Sequence, residues 1–211
     1  ITQNMSASEL STEIVKTESG DEIVVTKAKP GDFVVCNLAS LCLGHLDVTN
    51  DEMINDITGT VVRALDNVID LNFYPLPFAE ITNKKYRSIG LGVSGYHHML
   101  AKNKIRWESE DHLTFVDDVF ERIAYGTIKA SNELAKERGS YQFFKDSEWD
   151  NGNYFKIRHY HSDKWNNLKK DIHLNGMRNA YLMAIAPTSS TSILIGSTAG
   201  LDPVMNRYFL A

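Results

Sequence analysis

Apolar residues recur along this chain at two spacings, helical and continuous, and each predicts a different element. After Thr49-Asn50-Asp51-Glu52, a run with side-chain acceptors and early acids, Met53, Ile54, Ile57, Val61, Ala64, Leu65, Val68 and Ile69 keep helical spacing to about Leu71. Pro75 and Pro77 end that helix. A second stripe, Leu113, Val116, Val119, Phe120, Ile123, Ile128, Leu134 and Ala135, predicts a long helix over about 111–138, with Gly139 as its cap. Shorter helices are expected over 96–102 and 163–174, the latter stopped by Asn175-Gly176. Short apolar runs predict strands over 22–26, 33–38 and 181–185, the last two buried on both faces. The small-residue run 89–93 reads as a strand or turn. The serine- and threonine-rich stretch 1–20 reads as loop, and 140–162 as loop with short helical turns. Helices and short apolar strands alternate, which makes the class α/β. So few strands would need more chain to close a barrel or fill a doubly wound sheet.

The composition narrows the function classes. With 211 residues the chain is one domain, or at most two small ones, and 43% hydrophobic with 23% charged residues is ordinary for a folded globular protein. A net charge of −5 gives no global electrostatic reason to bind a nucleic-acid polymer or an anionic membrane. No apolar run approaches the roughly 18 residues of a membrane span. Two cysteines, Cys36 and Cys42, exclude a disulfide scaffold and a four-thiolate zinc site. The start at Ile1 without Met or signal pattern, and the apolar finish at Tyr208-Phe209-Leu210-Ala211, lead to the expectation that the chain is a piece of something longer.

The local signal richest in chemistry is Ala186-Pro187-Thr188-Ser189-Ser190-Thr191-Ser192, a hydroxyl-rich turn between a strand and an apolar segment. Free amides in the first turn of a helix, beside hydroxyls, suit a phosphate. The plainer reading is that Thr188 or Ser189 is an N-cap. Cys36 is a small buried hydrophobe or a redox thiol. If 36–42 is extended, the two cysteines lie about 20 Å apart at ~3.3 Å per residue, too far for a disulfide. Any redox partner of Cys36 then lies outside this chain. His97-His98 and the pair His159 and His161, which could share one face of a strand, have no Asp, Glu or Cys at ligand spacing, so no metal site is expected. Gly90, Gly92 and Gly95 match Gly-x-Gly-x-x-Gly by number, but the stretch before Asp111 does not read as the second strand a dinucleotide fold needs.

Several segments together resemble the large, catalytic subunit of class I ribonucleotide reductases. They are Val35-Cys36-Asn37-Leu38-Ala39-Ser40, Arg63-Ala64-Leu65-Asp66-Asn67-Val68-Ile69-Asp70, and Arg87-Ser88-Ile89-Gly90-Leu91-Gly92-Val93. They continue with Lys129-Ala130-Ser131-Asn132-Glu133-Leu134-Ala135-Lys136-Glu137-Arg138-Gly139, Gly176-Met177-Arg178-Asn179, and the serine-rich turn with Gly200-Leu201-Asp202-Pro203. Each is weak alone; in family order they cover the chain from about residue 30 on.

The resemblance implies a ten-stranded α/β barrel with several long helices, of which 1–211 would be a single partial region. Residues 1–30 would be finger-loop-like, and 31–211 would supply barrel strands and helices. It implies that Cys36 is a redox-active thiol and that Pro187, Thr188, Ser189, Ser190 and Thr191 hold the substrate diphosphate, in accord with the anion-site reading. The family's radical cysteine lies in Ser-Asn-Leu-Cys-x-Glu-Ile. Ser8-Glu9-Leu10-Ser11-Thr12-Glu13-Ile14 aligns with it, placing Ser11 where the radical cysteine belongs and Glu13 at the catalytic Glu. A rival register ends the motif at Ile1 and leaves too much chain before Cys36. In either register the radical thiol is absent, so the chain alone is expected to be inactive. The resemblance also implies a ribonucleoside diphosphate substrate, the remainder of the large subunit, a radical-generating small subunit carrying the metal-radical cofactor, and thioredoxin or glutaredoxin as reductant. Nucleotide effectors would bind upstream parts, no cofactor would reside in this segment, and the location would be cytoplasmic. A different class of reading is a nucleotide-binding or subunit-interaction module that kept the fold and lost the chemistry.

Overall fold

In a computed structural model that describes residues 10–29 and 31–205, the two long amphipathic stripes form helices that pack on each other. Helix α1 (Asp51–Leu71) starts where its sequence asks it to: the Asn50 side chain accepts the Met53 N–H at 3.0 Å. It buries Ile54, Val62, Leu65 and Ile69. Helix α4 (Glu110–Arg138) is capped by Ser109, which accepts from the His112 N–H, and buries Val119, Ile123, Ile128 and Leu134. Each such side chain contributes roughly 1.5–3 kcal/mol on leaving water. The helices approach closely at Gly126, where an added Cβ would stand 2.4 Å from Thr58 Oγ1. That hydroxyl is already committed as a donor to the Ile54 carbonyl at 2.7 Å.

Pro77 does not simply stop α1. It is the first residue of α2 (Pro77–Tyr86), a helix the sequence reading missed, because proline at the first helical position removes only an N–H that has no partner there. Strand β4 (Gly90–Ser94) is buried throughout and pairs in parallel with β3 (Leu38–Cys42), from Leu38 opposite Gly90 to Cys42 opposite Ser94. The strand expected over 33–38 is therefore displaced. The Phe33 N–H goes to Thr82 Oγ1 and the Asn37 amide to the Leu65 carbonyl, so these polar groups pair with helices and the ladder starts only at Leu38. On the other side of β4, Met183 bridges Leu91 in parallel. The run 181–185 is not the doubly buried strand expected. Leu182 is buried, but Tyr181, Met183 and Ile185 are exposed, because this outer edge of the sheet is uncovered among the described residues. Gly92 permits the close approach here, since a Cβ would meet the Ala184 carbonyl at 2.2 Å. Gly95, at φ +70°, turns the chain from β4 into α3 (Tyr96–Lys102).

Part of the segment 1–20, expected as loop, is strand β1 (Leu10–Lys16), antiparallel to β2 (Glu22–Ala28) with Ser11 opposite Lys27 and Glu13 opposite Val25. The turn closes through Thr17, which exchanges backbone bonds with Gly20 and Asp21. Residues 1–9, with Ser8 and Glu9, lie outside the described residues. Helices α5 (Asn153–Ile157), α6 (Asp163–Asn175) and α7 (Ser189–Leu194) complete the order. His159 and His161 flank a turn after α5 and not a strand face; their rings are 6.1 Å apart. The described residues are mixed α/β, in two two-stranded sheets without a closed barrel. No helix among them is long and apolar enough to cross a membrane.

A buried ion network ties these layers together. Asp66 on α1 is fully buried and accepts from Arg87 Nε at 2.8 Å, Arg138 Nη1 at 3.0 Å, Arg178 Nε at 3.3 Å and Asn179 Nδ2 at 3.2 Å. Arg87 also holds both oxygens of Asp70 and the Asp66 carbonyl. Burial would lower the Arg87 pKa, but the Asp70 and Asp66 hydrogen bonds outweigh it and hold the guanidinium above its ordinary value. Those bonds also fix Arg87 in the left-handed region at φ 51°.

Candidate active site around Cys36

Cys36 is a free, exposed thiol on the wall of a cavity of about 520 Å³. The strand shift explains its accessibility: 34–37 precede the paired strand β3, so the thiol stands beside the ladder and not within it. The walls come from three stretches of chain. Asp32, Val34, Val35, Asn37 and Leu38 flank Cys36 itself; Tyr86, Ser88, Ile89 and Gly90 lead into β4; Tyr181, Met183 and Ala184 belong to the outer segment.

The cavity holds one charged cluster. Asp32 accepts from Tyr86 Oη at 2.8 Å and from Lys85 Nζ at 3.0 Å. Burial pushes the Asp32 carboxyl up, but the Lys85 and Tyr86 hydrogen bonds and the Lys85 charge hold it below the usual carboxylate range. Burial and the same Asp32 bond raise the Tyr86 phenol. At neutral pH the wall therefore carries an ionised carboxylate beside a protonated phenol. Sequence reasoning missed both groups. Pro30-Gly31-Asp32 registered only as turn chemistry, and Tyr86 as an element boundary. Nothing in their local spacing joins residues 54 positions apart.

The serine-rich turn continues from the same outer segment, three residues beyond Ala184. Thr188 stands at the N-cap of α7, but its side chain does not cap: Oγ1 accepts from the Gly200 N–H at 2.7 Å. The plain capping reading therefore fails at Thr188, whose hydroxyl pins the returning loop to the turn. Pro187, Ser189, Ser190 and Thr191 are exposed, and the first amides of α7 have no partner within the helix. These residues do not line the Cys36 cavity.

Ser11 and Glu13 are placed apart from both. They are exposed on the hairpin, and Glu13 pairs with Lys27 at 2.7 Å on the solvent side. Cys42, the other free thiol, is half-buried at the far end of β3. Gly90, Gly92 and Gly95 serve strand packing and the turn into α3, with Gly90 facing Leu38 and Ala184. Among the described residues no group of three or more His, Cys, Asp or Glu side chains is placed to hold a metal ion.

Comparison with known proteins gives this arrangement a context. The family model described as ribonucleotide reductase, barrel domain, matches residues 2–210. The chain is 52% identical over 210 residues to a ribonucleoside-diphosphate reductase subunit alpha of Treponema pallidum, covering 100% of this chain and 25% of that protein. It is 43% identical to the subunit alpha of Helicobacter pylori strain J99, over 93% of this chain and 26% of the relative. The Synechocystis subunit alpha is 38% identical over 85% of this chain and 24% of its own length. The chain thus spans about a quarter of the length of these relatives. Over nearly its whole length, this chain belongs to the ribonucleotide reductase barrel-domain family.

Proposed function

We propose that the chain is a portion of the catalytic barrel of a ribonucleoside-diphosphate reductase large subunit, with Cys36 as one of its reducing thiols. The observation that carries this reading is the Cys36 cavity. A free thiol stands on a wall shared with the segment that runs into the serine-rich turn, within a chain of that family. In the whole enzyme the ribose 2′-OH leaves as water and hydrogen replaces it, while two thiols are oxidised to a disulfide. Cys36 supplies one thiol; its partner lies upstream of this segment. Pro187 and Thr188 to Thr191 hold the substrate diphosphate, largely through backbone amides, with Thr188 shaping the turn from within. The barrel has ten strands, of which β3, β4 and the segment 181–185 supply part, and residues 1–30 form the finger-loop-like portion. Partners are the remainder of the large subunit, the small subunit with its metal-radical cofactor, and thioredoxin or glutaredoxin, in the cytoplasm.

Ser11 occupies the position of the radical thiol, and Glu13 that of the catalytic carboxylate. Serine cannot substitute, because an alkoxyl radical is much harder to generate than a thiyl. The test is deoxynucleotide formation with the remaining parts and the small subunit supplied. No turnover is expected with Ser11, turnover is expected with Ser11→Cys, and loss again on adding Cys36→Ala. Turnover by the 211-residue chain alone overturns the reading. Ser11 also favours a second reading, a nucleotide-binding or subunit-interaction module that keeps the fold without the chemistry. Retained nucleoside diphosphate binding, with no turnover even for Ser11→Cys, selects it.

A further inference from the structure

The three walls of the Cys36 cavity come from stretches far apart in sequence, yet all are moored to one turn of α1. Asn37, next to Cys36, donates its side-chain amide to the Leu65 carbonyl at 2.8 Å. Arg87, between Tyr86 and Ser88 of the second wall, is fixed by the carboxylate and the carbonyl of Asp66. Asn179, two residues before the third wall, donates to Asp66 Oδ1 at 3.2 Å and to the Arg87 carbonyl at 2.8 Å, so the second and third walls are also joined to each other. The Gly90 N–H closes the ring on the Asn37 carbonyl at 2.9 Å. Asp66 itself is fully buried and does not line the cavity.

We infer that Asp66 is a positioning residue for Cys36: with its neighbour's carbonyl, it sets the mutual placement of all three cavity walls from behind. A purely structural carboxylate would stabilise the fold as a whole. A positioning one makes the thiol's surroundings depend on it selectively, because its carboxylate ties the second and third walls at once. The inference rests on the proposed role of the Cys36 site for its catalytic meaning, but its geometry does not depend on that role.

Cys42 provides the internal reference. It is half-buried at the opposite end of β3, so global opening uncovers Cys42, while displaced walls change the surroundings of the already exposed Cys36 alone. The experiment treats the folded 211-residue chain with iodoacetamide and follows both cysteine-containing peptides by mass spectrometry. In Asp66→Asn, the Cys36 alkylation rate is expected to change threefold or more while Cys42 keeps its wild-type rate. Acceleration of Cys42 marks a merely structural role and overturns the inference, as does no change in either. If Asp66→Asn fails to fold by circular dichroism, Asn179→Ala decides by the same ratio, since it cuts the Asp66 tie to the third wall. Glu137→Gln, which breaks an exposed pair with Arg63 between the same two helices, should leave the ratio at its wild-type value. Failure of the redox role would appear in the Cys36→Ala turnover assay and leave this ratio untouched.

Discussion

The Asp66 network and the β1–β2 hairpin are both built from charged and apolar residues, and they use them in opposite ways. At Asp66 one buried carboxylate receives donors from four side chains that arrive from three other parts of the chain. On the hairpin, Glu13 meets Lys27 across two strands in open solvent, and Ile14 and Val24 lie 72% and 68% exposed. The same type of ion pair is indispensable in one place and nearly neutral in the other. Removing a buried partner strands the remaining charges in low dielectric, whereas an exposed pair is replaced by water and salt. The comparison also separates two meanings of an apolar residue. Ile128 is fully buried and belongs to the core, while Ile14 shows an apolar face that nothing among the described residues covers.

The largest effect should come from Asp66→Ala. Loss of about 3–5 kcal/mol is expected by urea denaturation, because three arginines then converge on a site with one carboxylate, Asp70, left to meet Arg87. A change under 1 kcal/mol would erase the contrast with the hairpin. Gly126→Ala should cost about 1–3 kcal/mol despite alanine's better helix propensity, since the new methyl collides with a Thr58 hydroxyl already committed to Ile54. Acid should act next. The hydrogen bond from Arg87 holds the Asp70 carboxyl below its ordinary range. A depressed carboxylate contributes stability that is fully present above its unfolded pKa of about 3.9 and lost as pH falls through the lower folded value. Stability should therefore drop below about pH 4, and Asp70→Asn should flatten that part of the curve. Val24→Thr should change stability least, within about 0.5 kcal/mol, with the hairpin amides exchanging with deuterium faster than those of β3 and β4. Slow exchange in the hairpin would mean that its exposed face is covered in solution.

Helices α1 and α4 were legible because stripe, cap and terminator agree within each segment. Asn50 and Gly139 sit where the pattern ends, and Ser109 only extends α4 by a residue before the expected start. Helix α2 was hidden because the same proline signal that ends one helix can begin another. The strands were harder. Apolar runs mark them, but pairing decides their limits, and Asn37 and Phe33 find helical partners that no local pattern announces. Residues 181–185 read as buried from composition alone, yet burial needs a neighbour on each face. Cys36 was legible as a candidate, but its cavity was not, because Asp32, Tyr86 and Tyr181 meet only after the chain has folded back twice. Asp66, Arg87 and Asn179 lay inside the family-like segments without revealing that they bind one another.

The reach of the Asp66 network has a consequence for biosynthesis. Its donors lie up to 113 positions further along the chain. At about 5–20 residues per second, Asn179 is made roughly 6–23 s after Asp66. Through that interval Asp66 can meet Arg87 and then Arg138, but its last two donors, Arg178 and Asn179, are still missing and its hydrogen bonding is incomplete. The last strand-edge segment therefore arrives together with the final donors to the α1 carboxylate. This makes closure of the cavity walls a late event in synthesis, timed by the ribosome and not by the local propensity of α1.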